Sequence, residues 1–219
     1  MRPLDIMMRF PNAPHLEETF SYALTGCNRV DHLVGIYRET RVRYGKTRGR
    51  VWTHLSDILR AAVVLCHANL EQVLRDLLAV DAEWTPEFLQ RIPLSGSKHV
   101  RADRFSLADL SSFGSLAVSE VVFNAVWEYL GKRSFNQIAD VTEVLQMCQL
   151  DLAKYRKFFP AFQALMKRRH HIAHTADLEE APGRGKQMAR SISAEIVSRW
   201  NKNVLNFILQ ASMEISRRT

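Results

Sequence analysis

Apolar residues recur at steps of three and four along most of the chain, the spacing that gathers side chains onto one face of an α-helix. Leu16, Phe20, Ala23, Cys27, Val30 and Val34 form the first such stripe and predict a helix of about twenty residues. After the glycine-punctuated run YRETRVRYGKTRGR, a second stripe joins Leu55, Leu59, Ala62, Cys66, Leu70, Val73 and Leu77. Residues 61 to 66 are apolar on every side, so this helix is expected at the centre of the fold. Proline, glycine and serine then break the period in RIPLSGSKHVRADRF, which reads as a basic surface loop. Helix resumes at Ser106, where Asp109 three residues on gives a capping-box pattern, and Gly131 is placed to end it. A shorter helix is read through Ile138, Val141, Val144 and Leu145. Pro160 sits where a first helical turn tolerates proline, and Pro182-Gly183 marks a stop. Met188, Ile192, Ile196, Trp200, Val204, Phe207 and Ala211 share the face of a last helix. Six or seven helices and no persuasive strand predict an all-α helical bundle.

The chain has 219 residues, 47% of them hydrophobic, enough for a real core and about right for one domain. Residues 1–50 are read as an N-terminal helix with a basic connector, and 51–217 as the bundle proper. The longest uninterrupted apolar run, Ala61 to Cys66, falls far short of the roughly 18 residues a membrane span needs. The opening MRPLDIMMRFPN has no apolar region of signal-peptide type, so a soluble, cytoplasmic chain is expected. Cys27, Cys66 and Cys148 are scattered without a Cys-x-x-Cys pair and read as small buried hydrophobes. A net charge of +7 changes the picture more, because it favours an anionic partner, nucleic acid or acidic lipid, without choosing between them.

One stretch concentrates the chemistry: KRRHHIAHTAD, residues 167–177. On an ideal helix Phe158, Phe162, Leu165, Ile172 and Ala173 make a core-facing stripe, and Arg169 falls inside it. A guanidinium aimed at a core is costly unless it is paired or faces a groove, and such breaks of pattern tend to mark functional sites. His170, His174 and Asp177 fall on one flank at i, i+4 and i+7. Histidine exchanges protons near neutral pH, and arginine holds phosphate through parallel N–H donors. The pair suits phosphodiester cleavage in RNA, whose 2′-hydroxyl supplies the nucleophile, so no metal or other cofactor is called for. The trio also has the spacing of a two-imidazole, one-carboxylate metal site, although no H-E-x-x-H glutamate accompanies it. A basic helix end is, in addition, an ordinary solvated face.

The segment Arg169-His170-His171-Ile172-Ala173-His174 resembles the R-x4-6-H signature of HEPN domains, and the longer RRHHIAHTAD resembles the RRHxIVHxAD form of the RiboL-PSP-HEPN branch. LRAAVVLCHANLEQVLRDLL, residues 59–78, is similar to an earlier helix of those domains, so the resemblance spans about residues 50 to 215. It implies a compact helical bundle, often a homodimer whose motifs line a shared cleft, acting as a metal-independent endoribonuclease in toxin–antitoxin, phage-defence or RNA-processing systems. An antitoxin or other regulatory protein is then an implied partner. By the same analogy Arg169 binds and polarises the scissile phosphate, His174 is the general acid or base, and His170 assists. Arg168 is assigned to strand binding, and Glu71 is expected to orient Arg169 if the two helices pack together. Ala173 departs from the bulkier residue expected before the histidine.

A second basic tract holds Arg38, Arg41, Arg43, Lys46, Arg48 and Arg50 against one acid, Glu39, with Tyr37, Tyr44 and Trp52 interleaved. This composition suits a surface that tracks phosphates and stacks bases, and Arg41, Arg43, Lys46, Arg48 and Arg50 are its candidate RNA contacts. A plain solvated connector fits it equally well. Trp84, Trp127 and Trp200 stand in apolar periodic contexts and read as core, while His15, His32, His54, His67 and His99 stand singly as ordinary residues. A non-catalytic bundle that binds RNA or protein through the same motif is the alternative from another functional class.

Overall fold

The computed structural model describes residues 14–44, 53–82, 84–93, 111, 114, 116–178 and 189–218. Its order is α1 (Pro14–Arg43), α2 (Thr53–Val80), a one-turn α3 (Pro86–Leu89), α4 (Val118–Lys132), α5 (Ile138–Met147), a one-turn α6 (Leu152–Tyr155) running through a 3-10 turn, α7 (Phe159–Thr175) and α8 (Ala194–Ser216). This is the expected all-α bundle, with no strand among the described residues beyond one isolated bridge between Leu178 and Ala189.

The second apolar stripe makes α2 the hub, since it touches α1, α4, α5, α7 and α8. Leu55, Leu59, Ala62, Cys66, Leu70, Val73 and Leu77 are all buried, as are Phe20, Ala23, Cys27, Val30 and Val34 on α1. Buried amides fix the helix crossings within this apolar contact. Asn69 Nδ2 donates to the Ala23 carbonyl at 2.9 Å, and Asn201 Nδ2 donates to the Cys27 carbonyl and Asp31 Oδ1, both at 2.9 Å. Both amides are themselves buried, and these bonds satisfy donors that would otherwise be stranded away from water. Tyr155, Phe158, Phe162 and Phe207 interlock, with ring centroids 5.3 Å apart for Phe162 and Phe207, and so bolt the start of α7 to α8. The helix carrying KRRHHIAHTAD therefore has a rigid base.

Four expectations are corrected. The first helix is 30 residues long rather than about twenty, because the arginines after Tyr37 continue the helix. Arg41 and Arg43 thus lie in its last turn, where positive charge offsets the helix dipole, and not in a connector. Residues 61–66 are not enclosed on every side: Ala61 and Val64 are exposed. Trp127 is 47% exposed, unlike buried Trp200. Tyr37, read as a base-stacking candidate, is buried in the core. Lys46, Arg48, Arg50 and Trp52, the Ser106–Asp109 box and Pro182-Gly183 lie outside the described residues.

The three cysteines are buried and free, and burial pushes the Cys27 thiol up to about 12, which makes it inert at neutral pH. Among the described residues no helix is long and apolar enough to cross a membrane.

Candidate functional site

Helix α7 begins with Pro160 in its first turn and ends abruptly. Ala176 and Asp177 both take left-handed backbone conformations, at φ 49° and 57°. Their amides close on the carbonyl of His171, which also accepts from Thr175 Oγ1 at 2.8 Å. Glycine or asparagine is the usual residue at such a terminus, so Ala176 is held there against its own preference. The result is a sharp reversal that folds Asp177 back into the interior, where it is fully buried. The helix ends at Thr175, so Asp177, expected on one flank with His170 and His174, does not share it.

Asp177 receives two arginines at one oxygen. Arg60 Nε from α2 donates to Oδ2 at 2.9 Å, and Arg168 Nη2 donates to the same atom at 2.7 Å. Arg60 Nη2 also reaches the Arg190 carbonyl at 2.9 Å, and Arg168 Nη2 the Ser191 carbonyl at 2.9 Å. The triad thereby ties α2, the end of α7 and the strap entering α8 to one point. Asp177 Oδ1 and Arg168 Nε remain buried without a hydrogen-bond partner among the described residues. Arg168, expected to hold an RNA strand, is committed instead to this scaffold, because a buried carboxylate needs its countercharge. Arg60 was missed by the sequence reading. Its signal was Ser56 and Asp57 one turn before it, which accept from Nη1 at 2.8 and 3.0 Å.

Arg169 is different. It is half-buried on the side of α7 that meets α2, and its guanidinium has no hydrogen-bond partner among the described residues. Its charge acts through space on Glu71 of α2. Glu71 itself is held by the Phe135 amide, which donates to Oε1 at 2.9 Å, and by buried His67, whose Nδ1 lies 3.4 Å from Oε2. Burial pushes this carboxyl up, but the hydrogen bonds from His67 and Phe135, with the charges of His67 and Arg169, outweigh it and leave it below the ordinary glutamate range. The two helices pack together, but among the described residues no hydrogen bond or ion pair joins Glu71 to Arg169, and the two act on each other only through space. His67, read as an ordinary residue, proves to be part of this support, with its Nε2 buried and unpartnered.

His170 and His174 stand exposed one turn apart, their ring centroids 4.5 Å from each other. His171 lies to one side, its pKa lowered by partial desolvation and by the charges of Arg190, Lys167 and His170. Ala173, placed in the core stripe by the helical wheel, is exposed, so a bulkier residue there is not needed for packing. Arg169 and His174 lie about 140° apart round the helix. Within one chain they face different ways, the arginine toward α2 and the imidazole toward solvent.

The arrangement offers a fixed carboxylate, an uncommitted guanidinium and a pair of exposed imidazoles. Among the described residues no three His, Cys, Asp or Glu side chains gather in a way that could hold a metal ion, since Asp177 has turned inward. Arg41, in the last turn of α1, donates to Tyr37 Oη at 3.4 Å, and Arg43 of the same turn is exposed. Compared with protein-family models, curated proteins and solved structures, the chain matches none.

Proposed function

We propose that the chain is a metal-independent endoribonuclease of HEPN type. The observation that carries the reading is the contrast within one dipeptide: Arg168 is consumed by a buried ion triad, while Arg169, beside it, has no hydrogen-bond partner among the described residues, acts through space on a supported glutamate, and shares its helix with two exposed imidazoles. In the reaction, one imidazole takes the proton of a ribose 2′-hydroxyl as its oxygen bonds to phosphorus. The bond from phosphorus to the 5′-oxygen breaks, and the other imidazole, protonated, gives its proton to that leaving oxygen. The products are a 2′,3′-cyclic phosphate and a 5′-hydroxyl. Arg169 neutralises the charge gathering on the phosphoryl oxygens, with the negative charge of Glu71 acting on it through space.

A second copy of the chain completes the site in this reading. Ala61, Val64, Leu65 and Ala68 leave an apolar strip of α2 open, with Val64 39% exposed, and Val64 lies two turns before Glu71 on nearly the same line of the helix. Arg41 and Arg43 extend the positive surface for the strand, and an antitoxin-like regulator is the partner such an enzyme would need. Incubation with RNA in EDTA tests the activity. Cleavage by the parent and its loss in both Arg169→Ala and His174→Ala are expected; equal cleavage by all three proteins refutes it. RNA binding without turnover, weakened by the same substitutions, would instead fit the non-catalytic module.

A further inference from the structure

A second site of different chemistry lies between α1, α2 and α4. It is a cleft of about 870 Å³, roughly 100° round α2 from Glu71, lined by Tyr22 and Glu18 of α1, Asp76 of α2, Trp84, and Phe123 and Trp127 of α4. The aromatic residues form a continuous shelf: the Trp84 and Phe123 centroids are 6.2 Å apart, and Phe123 stacks on Trp127 at 6.1 Å. Trp84 is fixed by its Nε1, which donates to the Leu78 carbonyl at 2.8 Å. Yet Tyr22 is 69% exposed and Phe123 45%, an unusual surface cost for a monomeric fold.

Asp76 supplies a second, independent observation. It is nine-tenths buried against this cleft, accepts a hydrogen bond from Gln72 Nε2 at 2.7 Å, and has no ion-pair partner among the described residues. Burial raises its pKa, and the Gln72 hydrogen bond and the charge of the neighbouring Arg75 offset this only in part, so the carboxylate is incompletely compensated. Aromatic faces are electron-rich and attract cations, most strongly where a carboxylate adds full negative charge. The phosphates of RNA would be repelled by Glu18 and Asp76, so this acidic pocket on a chain of net charge +7 selects against nucleic acid.

We infer that the cleft binds an arginine- or lysine-bearing segment of another protein, its cationic side chain lying on the Phe123–Trp127 shelf and its charge met by Asp76 and Glu18. The cleft is too large for one guanidinium and open enough for an extended peptide to lie across it. This site stands apart from the α7 cluster and does not depend on RNA cleavage.

Titration of the full chain with acetyl-GRGRG-amide, followed by tryptophan fluorescence and calorimetry, tests it, with acetyl-GEGEG-amide as control. Saturable binding of the first peptide alone is expected, weakened about tenfold or more by Asp76→Asn and by Trp127→Ala. Asp76→Asn should at the same time raise the melting temperature, because it removes a buried charge that Gln72 and Arg75 only partly compensate while keeping its shape; a purely structural carboxylate would lower both. Equal affinity for the two peptides, or unchanged affinity in both variants, overturns the assignment. So does self-association abolished by Trp127→Ala, which would give the cleft to a second copy, or weakened oligouridine binding in that variant, which would give it to nucleic acid.

Discussion

At the scale of single residues, two neighbouring arginines are held differently, Arg168 in a buried ion triad and Arg169 without a hydrogen bond among the described residues, and stability should separate them. Arg168→Ala leaves Asp177 with Arg60 alone in a buried setting and should cost about 2–3 kcal/mol in urea unfolding, somewhat below the usual loss for breaking a buried pair because one partner survives. Arg169→Ala removes no hydrogen bond among the described residues and should stay within about 0.5 kcal/mol while abolishing cleavage. If Arg169→Ala were the less stable variant, the division of labour would be reversed. The motif's closing Ala-Asp belongs to the scaffold as well. Ala176 sits at φ 49°, so Ala176→Gly should stabilise the fold by about 1 kcal/mol with activity unchanged, as read by denaturant midpoint. Sequence alone marked Arg169 correctly as a break in an apolar stripe. It could not reveal the reversal at residue 176, because helical periodicity carries no information about where alanine will be forced into a left-handed turn.

At the scale of elements, the stripes of α1, α2 and α5 were legible because burial imposes the 3.6-residue period directly, and so was that of α8 from Ile196 onward; Ile192, read as part of it, precedes the helix, which starts at Ala194, and Met188 lies outside the described residues. Helix length was less legible: an arginine-rich tail can prolong α1 or leave it, since solvated residues give no period to read. The end of α2 carries a cost that pattern could not show. Asp81 follows the last turn with Oδ2 buried and unpartnered, and desolvation, only partly offset by Arg218, pushes its pKa up to about 6. Its folded form thus binds a proton more readily than the unfolded chain, whose ordinary value is 3.8. The penalty is complete above about pH 6 and relieved as pH falls toward 4. Asp81→Asn should therefore raise stability by about 1 kcal/mol at pH 8, allowing for solvent screening, and by nothing at pH 4. Thermal melts across that range check it, and a gain that persists at pH 4 would place its origin elsewhere.

At the scale of the whole molecule, the proposed chemistry meets a geometric demand that one chain does not satisfy. Arg169 looks toward α2 and His174 toward solvent, whereas phosphate neutralisation and proton transfer must converge on one ribose-phosphate link. A two-fold partner resolves this if Arg169 of one copy works with His174 of the other, and the open apolar strip around Val64, close to Glu71, is where the copies would meet. Mixing the inactive variants Arg169→Ala and His174→Ala then has a calculable outcome. Half of the randomly assembled dimers are mixed, and each holds one intact site of two, so about a quarter of the parent activity should return on mixing. Restoration should vanish when both variants also carry Val64→Glu, which buries a carboxylate in the contact and should leave monomers of unchanged melting temperature by light scattering and calorimetry. No recovery from a mixture shown to exchange subunits would mean that each chain assembles its own site. In that case α7 must turn or open on RNA so that its arginine and imidazole come to one side.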